Sequence, residues 1–185
     1  VDDDEADFGV DLDQSEVDEA LGISRSAALA HEPLGPGATL DVTHVVLPHQ
    51  PWVYLPSGAT YAAPHPARGA EFTGWYDQGA ADEARQRHLL QLQYADSLLG
   101  EALDRLRAEP WWDDALVVVT ADHGISFTDE QSLRGVSEGN AHETLWVPLF
   151  VKYPGQVDGE VDDRAAETVD VVPTVADVVG ADLPW

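Results

Sequence analysis

Three short runs, TLDVTHVVL (39–47), ALVVVT (115–120) and VPLFVK (147–152), are rich in β-branched and apolar residues and lack the strict polar alternation of a sheet with one wet face. Such runs read as strands buried on both sides, the environment that helices provide when they cover a mostly parallel sheet. Helical stretches stand where that reading needs them. Between Asp82 and Ala108, the residues Leu92, Ala95, Leu99, Ala102, Leu103 and Leu106 recur at steps of three and four, which places them on one helix face. Arg105 and Arg107 suit the negative end of that helix's dipole, and Pro110 bars its continuation. Near the C-terminus, VDVVPTVADVVG (169–180) predicts a shorter helix with Asp170 as its cap, Pro173 in its first turn and Gly180 at its stop. The order strand, helix, strand, strand, helix therefore predicts an α/β fold, a mostly parallel sheet flanked by helices.

Ligands of such sheets bind beyond the carboxyl ends of the strands. Polar residues stand at those ends here. VVVTADHG (117–124) closes an apolar strand with an acid, an imidazole and a glycine. Burying either polar side chain unpaired would cost on the order of several kcal/mol, so the tip lies in water or in a site. A carboxylate oxygen beside an imidazole nitrogen suits a divalent ion, and Gly124 lets the backbone turn behind Asp122 and His123. The plainer alternative is an acid that caps a turn at a strand end.

His49 follows the first strand within PHQPW (48–52), between two prolines. It reads either as a surface histidine packed on Trp52 or as a fixed donor to an anionic oxygen, an acid for a leaving group. His142, in GNAHETLWVP, precedes the third strand and is a candidate for a second metal or for substrate binding, with Glu143 as an orienting partner for a histidine. His44 reads as packing within its strand, and His31, His65 and His88 as surface residues. GVSEG (135–139) matches a nucleophile-elbow pattern around Ser137, but the residues before it are polar where that motif needs an apolar strand. A calcium loop from Asp11 fails as well, because Glu16 stands at the turn glycine and Gly22 at the closing glutamate.

The charge is lopsided, with 35 Asp and Glu against 9 Lys and Arg and a formal net charge of −26. A surface of that sign repels nucleic acid and anionic lipid. If the substrate is an anion, a metal ion must supply the local positive charge. No cysteine is present, which excludes disulfides and thiolate metal sites. No apolar run approaches the ~20 residues a membrane span requires. The chain begins with Val1 and holds no methionine, so a fragment or trimmed chain is expected. Residues 1–30 read as an acidic linker or edge segment, and residues 31–185 as part of one α/β domain. The polar, Pro- and Gly-rich stretch from about 50 to 79 is long enough to suggest function rather than mere connection.

Taken in order, PHQPW, VVVTADHG, WVPLFVKYPG and VDVVPTVADVVG resemble the C-terminal half of the catalytic domain of sulfatase-like enzymes in the alkaline phosphatase superfamily. The likeness points especially to membrane-anchored transferases related to lipoteichoic acid synthase and phosphoethanolamine transferase. The resemblance implies a metal-dependent hydrolase or transferase of phosphate or sulfate esters, working through a covalent intermediate on Thr, Ser or formylglycine. It implies that Asp122 and His123 bind a divalent ion (Mn, Zn, Mg or Ca), that His49 contacts the transferred group or leaving oxygen, and that His142 matches a later histidine of two-metal members. It also implies an extracytoplasmic domain, joined to the membrane through segments other than those in this sequence. No residue matches the family's nucleophile or the acidic ligand before it, so the chain by itself is expected to be inactive. The alternative is a non-catalytic binding or assembly module on the same fold.

Overall fold

A computed structural model describes residues 30–35, 38–61 and 74–183. The chain divides into two units, Val1–His49 and Gln50–Trp185. In the first, β1 (Ala30–Gly35) and β2 (Ala38–Val42) form an antiparallel hairpin in which His31 lies opposite Asp41 and Glu32 opposite Leu40. The strand expected over 39–47 therefore ends at Val42, which pairs with Ala30. His44 falls beyond that end and is exposed, not packed inside a strand, while Leu47 is buried. The acidic segment 1–20, with the rejected calcium loop, lies outside the described residues, as does His65.

The second unit is organised by α1 (Gln78–Arg107). Its start comes earlier than Asp82 because the Asp77 side chain accepts from the Ala80 N–H at 2.8 Å, an N-cap in the ordinary sense. Its end is as the sequence predicts, with Arg105 and Arg107 in the last turn and Ala108 as the C-cap. The buried face differs from the expected one. Ala81, Ala84 and Gln91 are buried, whereas Leu92 is exposed and Leu99, Leu103 and Leu106 are only half-buried. The reason is what packs on the helix. Ala81 and Ala84 let the aromatic cluster of Trp52, Trp75 and Phe127, with Leu133, close against the helix backbone. Trp75 and Phe127 stack at 6.0 Å with their planes 12° apart, and Trp52 is tilted against both. Such pairs add about 0.5–1.5 kcal/mol each beyond the area they bury. His88, expected on the surface, lies edge-on to Trp52 at 5.8 Å and 5.4 Å from Phe127. A buried Gln91 is tolerable because its Oε1 accepts the N–H groups of Val53 and Tyr54, in a segment where Tyr54 forms an isolated antiparallel bridge with Thr60.

Beyond Pro110 the chain makes a short helical turn, Trp112–Asp114, and enters β3 (Val117–Thr120). β3 pairs with β4 (Leu149–Lys152) antiparallel, Val117 opposite Lys152 and Thr120 opposite Leu149. Both sheets among the described residues are two-stranded and antiparallel, so none of the expected parallel pairing lies within them. The connection from β3 to β4 passes through the short helix α2 (Ala141–Thr144) and brings the chain back antiparallel to β3. Lys152, the chain's one lysine, closes this unit. Its ammonium donates to the carbonyls of Trp112 at 2.8 Å and Ala115 at 3.0 Å and lies 4.8 Å from the Trp112 ring centroid.

The last helix, α3 (Val171–Val179), follows a tight turn over Thr168–Asp170. Pro173 sits in its first turn, and Gly180 takes the left-handed conformation (φ 68°) that ends it. Asp170 stands at the N-cap position as predicted, but its side chain makes no capping bond to α3. Its carboxylate accepts from the Glu167 N–H at 2.8 Å and so fastens the preceding turn. No helix among the described residues is long and apolar enough to cross a membrane.

Candidate functional site

β3 delivers its last paired residue, Thr120, to one end of the two-stranded sheet, and the Thr120 hydroxyl donates across to the Pro148 carbonyl at 2.9 Å. Asp122 and His123 follow at once, both exposed. Their side chains turn toward each other. Asp122 Oδ2 lies 3.7 Å from His123 Nε2, while Asp122 Oδ1 accepts the His123 N–H at 2.9 Å. The other ring nitrogen, Nδ1, is 2.7 Å from the Gly124 carbonyl. A carbonyl oxygen only accepts, so this contact assigns the proton of the neutral ring to Nδ1. Nε2 then carries the lone pair, 3.7 Å from Asp122 Oδ2.

That is the donor set a divalent cation takes: one anionic oxygen and one neutral imidazole nitrogen whose opposite N–H is held by a carbonyl. The two residues fit such an ion, and supply two of the four or more donors it wants. Among the described residues no three His, Asp or Glu side chains gather in one place. His142, exposed on α2, thus does not join Asp122 and His123 as a third ligand. His49 belongs to the other unit, where its N–H donates to the Val46 carbonyl at 2.8 Å and its ring is exposed. The peptide bonds before Pro48 and Pro51, on either side of it, are both cis.

Gly124 has a different task from the sharp turn expected of it. Its φ is not in the left-handed region; a Cβ there would stand 2.0 Å from the Glu143 carbonyl oxygen. The glycine exists to let α2 approach, and its N–H donates to the Thr144 carbonyl at 2.9 Å. Among the described residues the Glu143 carboxylate bonds no histidine directly. Its Oε2 accepts from Ser126 Oγ at 2.7 Å, the Phe127 N–H at 3.1 Å and Thr128 Oγ1 at 3.1 Å.

Ser137 is confirmed as no nucleophile elbow. Its hydroxyl lies 2.6 Å from Gln131 Oε1 and 3.1 Å from Asn140 Oδ1, in a loop rather than after a strand. The organiser there is Asn140, fully buried, whose amide accepts the Ser137 N–H and donates to the carbonyls of Ser132 and Gly135. Sequence reasoning missed Asn140 and Ser126, and it gave Glu143 a histidine as partner where the structure gives Ser126, Phe127 and Thr128. The available signal was a cluster of hydrogen-bonding side chains in a segment that ends in an apolar strand.

A family model described as sulfatase matches residues 39–181. The multifunctional alkaline phosphatase superfamily protein PehA of Trinickia caryophylli is 30% identical over 119 residues, which cover 63% of this chain and 23% of that protein. Choline-sulfatase of Rhizobium meliloti (strain 1021) is 31% identical over 109 residues, 55% of this chain and 20% of the relative. Arylsulfatase K of Canis lupus familiaris is 27% identical over 114 residues, 60% and 21%. The chain thus matches about a fifth of the length of each of these relatives. No solved structure matches it significantly. These relatives do not bear on the finer likeness to lipoteichoic acid synthase. With the match spanning most of the sequence, the chain belongs to the sulfatase family and carries part of its alkaline phosphatase-like α/β fold.

Proposed function

We propose that this chain is the C-terminal part of a metal-dependent hydrolase or transferase of sulfate or phosphate esters, and that Asp122 and His123 are its contribution to the metal site. The observation that carries the reading is the pair Asp122 Oδ2 and His123 Nε2 at 3.7 Å, beyond the end of β3, with Asp122 Oδ1 and His123 Nδ1 bonded to the adjacent backbone. The names of the relatives support an ester substrate: a choline-sulfatase and an arylsulfatase. When bound, a divalent ion would lower the pKa of an attacking group and offset charge on the ester's oxygens. The chain's own residues have simpler roles. Asp122 supplies negative charge, His123 a lone pair whose direction the Gly124 carbonyl fixes, and His49 a donor to the leaving oxygen.

Within the complete domain, β3 and β4 would be the antiparallel portion of a sheet that is otherwise mostly parallel. The segment 31–185 is one part of that domain, 1–30 an acidic edge or linker, and the domain lies outside a membrane to which other segments tether it. His142 is kept as a substrate-binding candidate.

Calorimetric titration of the chain with Mn²⁺, Zn²⁺, Mg²⁺ and Ca²⁺ tests the site. Weak binding of at least one ion is expected, lost in both Asp122→Ala and His123→Ala, with no turnover of nitrophenyl sulfate or phosphate. Binding that survives both substitutions refutes the metal assignment. Metal-dependent turnover by this chain, abolished by Asp122→Ala, would retain the assignment but overturn the proposal that the chain is inactive alone. A complete protein that binds the ion yet never turns over an ester would favour the binding module instead.

A further inference from the structure

An exposed pair of ligands can hold a fixed geometry only if something else fixes the backbone that carries it. One short helix does this from two sides. At the near side, the Thr144 carbonyl of α2 accepts the Gly124 N–H at 2.9 Å, and the Glu143 carbonyl occupies the space a Gly124 side chain would fill. At the far side, the Glu143 carboxylate takes three hydrogen bonds on a single oxygen, from Ser126, Phe127 and Thr128. Bonds to an ionised acceptor are roughly twice as strong as neutral ones. Phe127 is in turn buried between Trp52, Trp75 and His88, so the far side is anchored in the core. Between these two fastenings lies Gly124, whose own carbonyl accepts from His123 Nδ1. The contacts from Glu143 to the imidazole are continuous.

We infer that Glu143 is a positioning residue for the Asp122–His123 pair: its carboxylate binds Ser126–Thr128 to α2, which holds the Gly124 peptide and keeps the His123 ring in the tautomer that presents Nε2 to Asp122. The inference rests on the proposed metal role of the pair for its affinity arm alone; the tautomer arm is independent of it.

The test uses the full chain, its Glu143→Ala, Glu143→Gln and Asp122→Ala variants, and the double variant Ser126→Ala/Thr128→Val. Two quantities are measured: the His123 tautomer by long-range proton–nitrogen NMR at about pH 9, where imidazole is neutral, and Mn²⁺ affinity by calorimetry. The parent is expected to show Nδ1–H. Glu143→Gln, whose amide oxygen accepts from the same donors, should keep it. Glu143→Ala and the double variant should drift to the mixture of a free imidazole and bind Mn²⁺ about ten-fold more weakly, while the Trp52 and Trp75 indole signals stay dispersed. Persistence of Nδ1–H with unchanged Mn²⁺ affinity in Glu143→Ala overturns the inference. If that variant does not fold, the double variant decides by the same criterion. If Asp122→Ala leaves Mn²⁺ affinity as in the parent, the metal reading fails and the tautomer alone decides the role of Glu143.

Discussion

Two polar segments leave the two strands of the same small sheet, and they are built in opposite ways. The segment after β3, residues 121–144, carries Ser126, Phe127, Leu133, Asn140 and Thr144 into burial and closes its buried polar groups with named partners. The segment beyond the turn after β4, residues 157–167, is exposed at every position, with Val157 and Val161 each 92% exposed. The side-chain bonds described there reach three positions at most, as between Asp162 and Arg164 or Glu167 and Asp170. One segment is thus fastened and the other solvated, and residues 157–167 hold none of the Ser, Thr, Asn or Gln side chains that residues 126–144 use. The difference lies in whether each polar side chain finds a distant backbone group. Only a fastened loop can keep two side chains aimed at one point, and the candidate ligands are on that one.

The hardest way to break the contrast is Gly124→Val. Its branched side chain would meet the Glu143 carbonyl at a distance no rotamer relieves, so α2 must back away from residue 124. Overpacking of this kind costs about 3 kcal/mol or more. The unfolding midpoint in urea should fall accordingly, and Mn²⁺ binding should vanish with it. Survival of both would mean that α2 does not fasten the loop.

Asn140→Ala comes next. It leaves the carbonyls of Ser132 and Gly135 and the Ser137 N–H to find water in a site where the amide was fully buried. Losing such partners costs about 1–3 kcal/mol, and urea denaturation should read a loss in that range. Backbone amide exchange should rise first at Gly135 to Asn140, ahead of α1. A uniform rise across the unit would show that the loop has no fastening of its own.

What the sequence made legible follows from the range of the interactions. α1, β3, β4 and α3 rest on local pattern and stops, and all four stand where that pattern put them, within a few residues. Asp122 and His123 were conspicuous because polar residues at the end of an apolar strand are costly unless used. The buried stripe of α1 was not legible, since its partners, Trp52 and Phe127, lie far away in sequence and select small Ala81 and Ala84 over leucines. Glu143 was read as a histidine's partner for the same reason: its three donors lie 15 to 17 positions earlier, and no spacing rule reaches them. The antiparallel pairing of β3 with β4 escaped as well, because apolar runs do not record direction, and the burial expected on both faces is not met either, since Leu149 and Phe150 are exposed.

The smallest expected effect sharpens the contrast from the solvated side. Asp162 is held below the usual carboxylate range, from 3.8 to about 2, chiefly because the Arg164 side chain hydrogen-bonds to it. A lowered pKa in the folded chain contributes stability that is present above the unfolded value and is lost as pH falls from 3.8 toward 2. Both partners are exposed, so water and salt screen the pair, and it joins residues two positions apart that meet without the fold. Asp162→Asn should therefore leave the urea midpoint unchanged at about pH 7 and at about pH 3. A midpoint that falls at neutral pH and recovers its parity with the parent under acid would mean that residues 157–167 are tied to the fold through this pair. The distinction between a fastened segment and a solvated one would then have to rest on the network around Asn140 and Glu143 alone.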